Sequence, residues 1–199
     1  MQNLSARVTE NTPKEIKVGA NECRLVREGE RMVARAVLAD VIVAIQIPSA
    51  GFAAMLRFSP PPEACVSSLR LGALWEFADQ ALALIFESIR SMDIPAGAML
   101  VSAIGGADVD DLTHGHGSEL AAAVEKSLSQ QGIVLNGSDL GGTQTRSVWL
   151  DSSSGRLIVR SASVPPAASI DSASASGLAF AQPGETSKWQ PPVLRDGTA

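Results

Sequence analysis

Residues 36–48 read AVLADVIVAIQIP, a nearly continuous apolar run that carries a single carboxylate, Asp40. A segment such as VIVAI has no polar face to offer water, so alternation cannot orient it. It reads as a strand buried on both sides, at the centre of a packed sheet. Enzymes mount nucleophiles on central strands, and a carboxylate at the edge of a strand is also ordinary structure. Asp40 therefore has two readings, an active-site group or a strand-edge acid that is solvated or paired with Arg35 or another arginine.

The surrounding sequence supplies further elements. Upstream, IKVGANECRLVREGERMVARAVLADVIVAIQIP holds two or three strands with a turn at EGE, residues 28–30. Residues 50–58, AGFAAMLRF, form a further strand that ends at the proline cluster SPPP. Between residues 73 and 92, Leu74, Phe77, Ala81, Leu84, Ile85 and Ile89 recur at steps of three and four, the signature of one helical face. A short strand at 98–106 leads through ADVDDLTHGHG to a second helix, capped by Gly117 or Ser118 and striped by Leu120, Val124 and Leu128. Gly132 is placed to end it. GIVLNGSDLGG reads as another strand, and SVWL and RLIVR flank DSSSG as a hairpin.

This organisation predicts a leader over 1–15, one folded domain over 16–160 and a disordered Ser/Ala/Pro-rich tail over 161–199, because the tail cannot bury enough apolar surface to offset its ordering entropy. The chain is 45% hydrophobic and has no run of eighteen apolar residues, which excludes a membrane-embedded helix. Its N-terminus lacks the apolar core of a signal peptide, so a cytoplasmic protein with Cys23 and Cys65 as free thiols is expected. A net charge of −5 without a dense Lys/Arg cluster argues against a nucleic-acid partner.

Four constellations invite a chemical reading. DVDDLTHGHGSE, residues 108–119, has acids at the first, third and last places of a calcium loop, but Leu112 and Thr113 stand where an oxygen ligand and a glycine are needed. His114 and His116 supply two ligands where a structural zinc takes four, so no metal and no cofactor are expected. The glycine pairs Gly105-Gly106 and Gly141-Gly142 follow strands without phosphate-cradling spacing, and tight turns or close backbone approach explain them. Cys65, with His114 or His116 as base, is the remaining nucleophilic arrangement.

The order of pieces resembles the CheD family of bacterial chemotaxis, glutamine deamidases that act on chemoreceptors. The resemblance runs over residues 17–160. Its most specific part is DLGGTQTRSVWLDSSSGRLIVR, residues 139–160, similar to the family's acid, glycine pair, arginine-led strand, turn and basic-apolar strand. KVGANECRL, FADQAL, IGGA and GHGSELAAAVEKSLSQQGI support it. It implies an α+β fold with mixed β-sheets packed sandwich-like and two main amphipathic helices on the outside. It also implies chemoreceptor cytoplasmic helices or a CheC-type phosphatase as partners.

The same resemblance places the family's catalytic threonine at Ala34 or Arg35, its cysteine at Asp40 or Val41 and its histidine at Ala53 or Ala54. None of the three residue types is retained. The family reaction needs a thiolate to attack a carboxamide and an imidazole to protonate departing ammonia, and alkyl side chains do neither. The sequence therefore points to an inactive binding or regulatory member. The alternative is a deamidase with relocated groups, Cys65 with His114 or His116. A filled core around Asp40, Ala53 and Ala54 would favour the first.

Overall fold

The structure is a computed structural model, and it describes residues 13–27, 29–60, 72–109 and 115–164. Nine strands and two α-helices lie within these residues. The strands are β1 (Lys14–Lys17), β2 (Glu22–Arg27), β3 (Glu30–Val37), β4 (Val41–Ile47), β5 (Phe52–Phe58), β6 (Leu100–Gly105), β7 (Gly137–Leu140), β8 (Gln144–Asp151) and β9 (Leu157–Ser163). Helix α1 spans Gly72–Arg90 and α2 spans His116–Gln130.

The strands form two mixed sheets. Sheet A has the order β1-β3-β8-β9, and sheet B the order β2-β5-β4-β6-β7. Each contains one parallel pair, β1 with β3 and β6 with β7. The sheets pack face to face through Met32, Val37, Val148 and Leu150 of sheet A and Ile42, Ala44, Met55 and Ile104 of sheet B. The other face of sheet B carries both helices, which bury Leu82, Ile85, Phe86, Leu120, Val124 and Leu128 against Val43, Ile45 and Leu56. This is an α+β fold in three layers, sheet A, sheet B and helices.

The layering explains the apolar run. All seven residues of β4 are buried, odd-numbered ones under the helices and Ile42 and Ala44 between the sheets. A strand with a layer on each face can afford no polar face, and VIVAI has none.

Several expectations shift in detail. The segment expected to hold two or three strands holds four, β1 to β4. Leu84, assigned to the inner stripe of α1, is 43% exposed, because Leu82 and Phe86 take the buried positions beside Ala81, Ile85 and Ile89. The side chains of Leu74 and Phe77 lie outside the described residues, as do Cys65 and His114. Helix α2 starts at His116, ahead of both expected caps, Gly117 and Ser118, with Gly115 left-handed at φ 80° as its N-cap. Its first amides are satisfied from a distance: both carboxylate oxygens of Asp108 accept, from Gly117 N at 2.9 Å and Ser118 N at 3.0 Å. Gly132 follows the helix at φ 71°, as expected. Strand β9 runs to Ser163, past the boundary at residue 160, because residues 161–163 pair with Gln144, Thr145 and Arg146 of β8.

Candidate functional site

The chain leaves sheet A and enters sheet B between Val37 and Val41, and Asp40 sits on this crossover. The exit is irregular. The β3–β8 register slips between Ala34 and Val37, and Ala36 is left-handed at φ 53°, a conformation that costs an L residue about 1 kcal/mol. The bulge turns the backbone so that Leu38 and Asp40 present their carbonyls to the turn after β6: Ala107 N donates to Leu38 O at 2.8 Å and Gly106 N to Asp40 O at 2.7 Å.

That turn is built from glycine for a steric reason. Gly105 (φ 118°) comes so near Asp40 that a Cβ there would stand 2.1 Å from the Asp40 carbonyl oxygen. Gly141 N donates to Gly105 O, and Asp108 N to Gly142 O, each at 2.8 Å, which fastens the second glycine pair to the first. Arg146, only 6% exposed, holds the Gly141–Gly142 turn by donating to Asp139 Oδ1 at 2.7 Å, Asp139 Oδ2 at 3.1 Å and Gly141 O at 2.9 Å. These bonds hold the Asp139 carboxyl below its ordinary pKa. Gly105 and Gly106 thus serve close backbone approach, Gly141 and Gly142 a left-handed turn at φ 75° and 74°, and the two pairs together close the corner around Asp40.

The Asp40 side chain is taken by Arg57 of β5, not by Arg35. Arg57 Nε donates to Asp40 Oδ2 at 2.9 Å and Nη2 donates to the same oxygen, while Nη1 reaches Arg35 O at 3.3 Å and Val18 O at 3.5 Å. Both side chains are mostly covered, at 16% exposure for Arg57 and 15% for Asp40. Arg35 extends to the outside of sheet A and pairs with Glu15.

Each sequence-derived position can now be placed. Val41 is fully buried under the helices, and Ala34 lies between the sheets. Ala53 and Ala54 are 1% and 0% exposed, one in each hydrophobic layer. The surroundings of Ala53 and Ala54 are filled core, and Asp40 beside them is held in an ion pair. The register also separates the two halves of the expected site. Val41 pairs with Phe58 and Ile42 with Arg57, whereas Ala54 pairs with Ile45 and Ala53 with Gln46. Ala54 is therefore four residues along the sheet from Val41, roughly 13 Å at strand rise. The residues brought to the Asp40–Val41 position are Arg57 and Phe58.

Among the described residues, no cluster of three or more His, Cys, Asp or Glu side chains is arranged for a metal. The acids of the calcium-like loop that are described do other work: Asp108 caps α2, and Glu119 lies in its first turn. Cys23, opposite Leu56 in the β2–β5 ladder, borders a shallow pocket lined also by Asn21, Glu22, Arg57, Phe58 and Ala81. Burial, with a smaller contribution from the Glu22 charge, pushes its thiol up to about 12, which leaves it protonated and poorly nucleophilic. No helix among the described residues is long and apolar enough to cross a membrane.

Comparison with known proteins bears on this arrangement. The family model for CheD chemotactic sensory transduction matches residues 65–161, from beyond β5 to within β9. A protein from Haloarcula marismortui named probable chemoreceptor glutamine deamidase CheD is 28% identical over 156 residues, covering 77% of this chain and 88% of the relative. Another of the same name, from Solibacter usitatus, is 29% identical over 147 residues, 72% of this chain and 87% of the relative. The similarity extends over most of both proteins, and the part matched by the family model includes the Asp139–Arg146 motif and the hairpin of β8 and β9 that first suggested the likeness. Over most of its length the chain is therefore similar to the CheD family of chemotactic sensory transduction.

Proposed function

We propose that this chain is a CheD-family chemotaxis protein that binds its partners without deamidating them. The observation that carries this reading is the Asp40–Arg57 ion pair, standing sealed where the resemblance places the family's nucleophile. Amide hydrolysis needs an attacking group and an acid for departing ammonia. Asp40 is bound through one oxygen to two donors of a guanidinium, which blunts it as a nucleophile. Any group acting with a nucleophile at residue 40 or 41 has to touch it, and the ladder sets Arg57 and Phe58 there. A guanidinium does not release protons near neutral pH, and a phenyl ring has none to give.

The filled core supports the same conclusion. A substrate glutamine could reach Val41, Ala53 or Ala54 only by displacing hydrophobic layers, since all three are at most 1% exposed. Cys23 offers no substitute, because its half-buried thiol is held protonated. What remains intact is the scaffold from β1 to β9, the unit corresponding to the domain expected over residues 16–160. In this reading the domain works in the cytoplasm, docking on chemoreceptor cytoplasmic helices or on a CheC-type phosphatase.

The test pairs two measurements on the full chain. Binding to a purified chemoreceptor cytoplasmic fragment or to a CheC-type phosphatase is followed by calorimetry, and the receptor fragment is then searched by mass spectrometry for Gln-to-Glu conversion. Binding without conversion is the expected result. Conversion above a protein-free control would overturn the reading, and its loss in Cys65→Ala would assign the activity to a relocated thiol.

A further inference from the structure

Both helices pack on sheet B, and among the described residues no helix covers the outward face of sheet A. Strand alternation puts Lys17, Arg31, Val33, Arg35, Trp149 and Arg160 on that face, together with the acids Glu15 and Asp151 that pair with Arg35 and Arg31, opposite the core-facing Met32, Val148 and Leu150. Val33 is 1% exposed although it belongs to neither hydrophobic cluster, so larger side chains on its own face roof it. Trp149 stands directly opposite it on β8.

Trp149 is flanked by two guanidiniums. The Arg35 and Arg160 centres lie 5.4 Å and 5.3 Å from its ring centroid, one from β3 and one from β9. A guanidinium lying over an aromatic face keeps its N–H edge directed outward, and that edge is the fork that grips a carboxylate through two parallel hydrogen bonds. Arg35 spends part of its capacity on an exposed contact with Glu15 at 3.3 Å, of the kind that contributes little and exchanges easily. Arg160 has no described carboxylate within ion-pair distance.

We propose that the Arg35–Trp149–Arg160 stack on the outer face of sheet A is a docking site for an acidic peptide segment of a partner protein, its carboxylates gripped by the two forks and its aliphatic stems laid on the indole. Charge complementarity selects this occupant. The chain carries a net charge of −5, so an anionic segment is repelled by most of its surface and drawn to a local cationic face. Two forks on an ordered ring suit a short peptide; a nucleic acid would need the dense cationic stripe that this chain lacks. The inference stands apart from the question of deamidation, because the stack lies on the face of sheet A turned away from Val41 and Ala54.

The test uses a fluorescein-labelled hexaglutamate peptide and the full chain, with fluorescence anisotropy at low and at physiological ionic strength. Saturable binding that weakens with salt is expected, reduced roughly tenfold or more in R35Q/R160Q and several-fold in Trp149→Leu. Arg24→Gln, on the edge strand of sheet B, should bind as the parent does. Thermal melting checks that each variant is folded, and Arg160→Gln alone replaces the double variant if that one is not. Absence of binding by the parent, unchanged binding in folded R35Q/R160Q, or an equal loss in Arg24→Gln would overturn the assignment. So would binding of a short DNA duplex or of phosphatidylglycerol vesicles through the same arginines without binding of hexaglutamate.

Discussion

Replacing Asp40 by alanine should expose how much the crossover depends on its ion pair. The substitution leaves the Arg57 guanidinium 16% exposed, with only the Arg35 and Val18 carbonyls, at 3.3 Å and 3.5 Å, as acceptors. Truncating one partner of a buried pair costs about 3–5 kcal/mol, and the residual exposure and the two carbonyls reduce this to about 2–3 kcal/mol here. For a domain of this size the melting temperature should fall by roughly 5–10 °C. Arg57→Met leaves the opposite charge stranded and should cost a similar amount. The double variant Asp40→Ala/Arg57→Met removes both charges and fills the space with hydrocarbon, so it should lie within about 1 kcal/mol of the parent. The cycle then gives a coupling of about 2 kcal/mol or more, read from urea unfolding at constant m. Because the pair is mostly out of solvent, the coupling should persist in about 1 M salt, where an exposed pair would be screened away. A coupling below about 0.5 kcal/mol, or one abolished by salt, refutes the reasoning: Asp40 would be a solvated acid, and the case for a sealed site would go with it.

Acid should unfold the protein partly through Asp139 and Asp151. Arg146 hydrogen bonds lower the first, and Ser154 backbone and Arg31 side-chain bonds lower the second, so both stabilise the fold above the ordinary carboxylate range and lose that contribution as pH falls through their depressed folded values. Asp139→Asn/Asp151→Asn should be less stable at neutral pH and show a shallower loss below about pH 4; an unchanged acid limb would contradict the assignment. At the other end, the unfolded Cys23 thiol ionises near 9.0 while the folded one holds its proton to about 12, so stability should decline as pH rises above the first value, and Cys23→Ala should soften that decline. At pH 8, iodoacetamide should leave Cys23 unlabelled in the native protein and label it in urea, as read by peptide mapping. Gly105→Ala puts a Cβ 2.1 Å from the Asp40 carbonyl at a positive φ and should destabilise by more than about 2 kcal/mol; a neutral result in thermal melting would mean that the corner is loose.

The elements were legible because each has a local cause. Residues 41–47 lack a polar face, which demands layers on both sides, and α1 and the hairpin of β8 and β9 carry their periodicities openly. What the chain does not spell out is register. Asp40 meets Arg57, seventeen residues on, because β5 pairs with β4 so that Val41 faces Phe58, and no residue near Asp40 announces this. The sequence therefore leaves Asp40 with Arg35 or another arginine, and it is another, because the bulge at Ala36 helps to send Arg35 to the other side of sheet A. The acid-rich loop at 108–119 misled for a related reason. Its spacing imitates a metal loop, while the first carboxylate reaches nine residues forward to cap a helix that has no side-chain cap of its own.

The position where the resemblance places a nucleophile shows the same division between identity and placement. That no cysteine or histidine stands near residues 34–54 can be read directly from the sequence. Where a second catalytic group would have to stand cannot, because contact across a ladder depends on pairing. With the pairing in hand, residue 40 or 41 is answered by residue 57 or 58, and this chain places there a mutually satisfied acid and base beside two core hydrocarbons. A thiol lost by itself would leave an imidazole or a cavity behind. A charge pair that closes on itself, beside a Gly105–Gly106 turn that admits no Cβ, is a corner stabilised for its own sake, and placing only a cysteine at residue 40 would strand Arg57 before it supplied any chemistry.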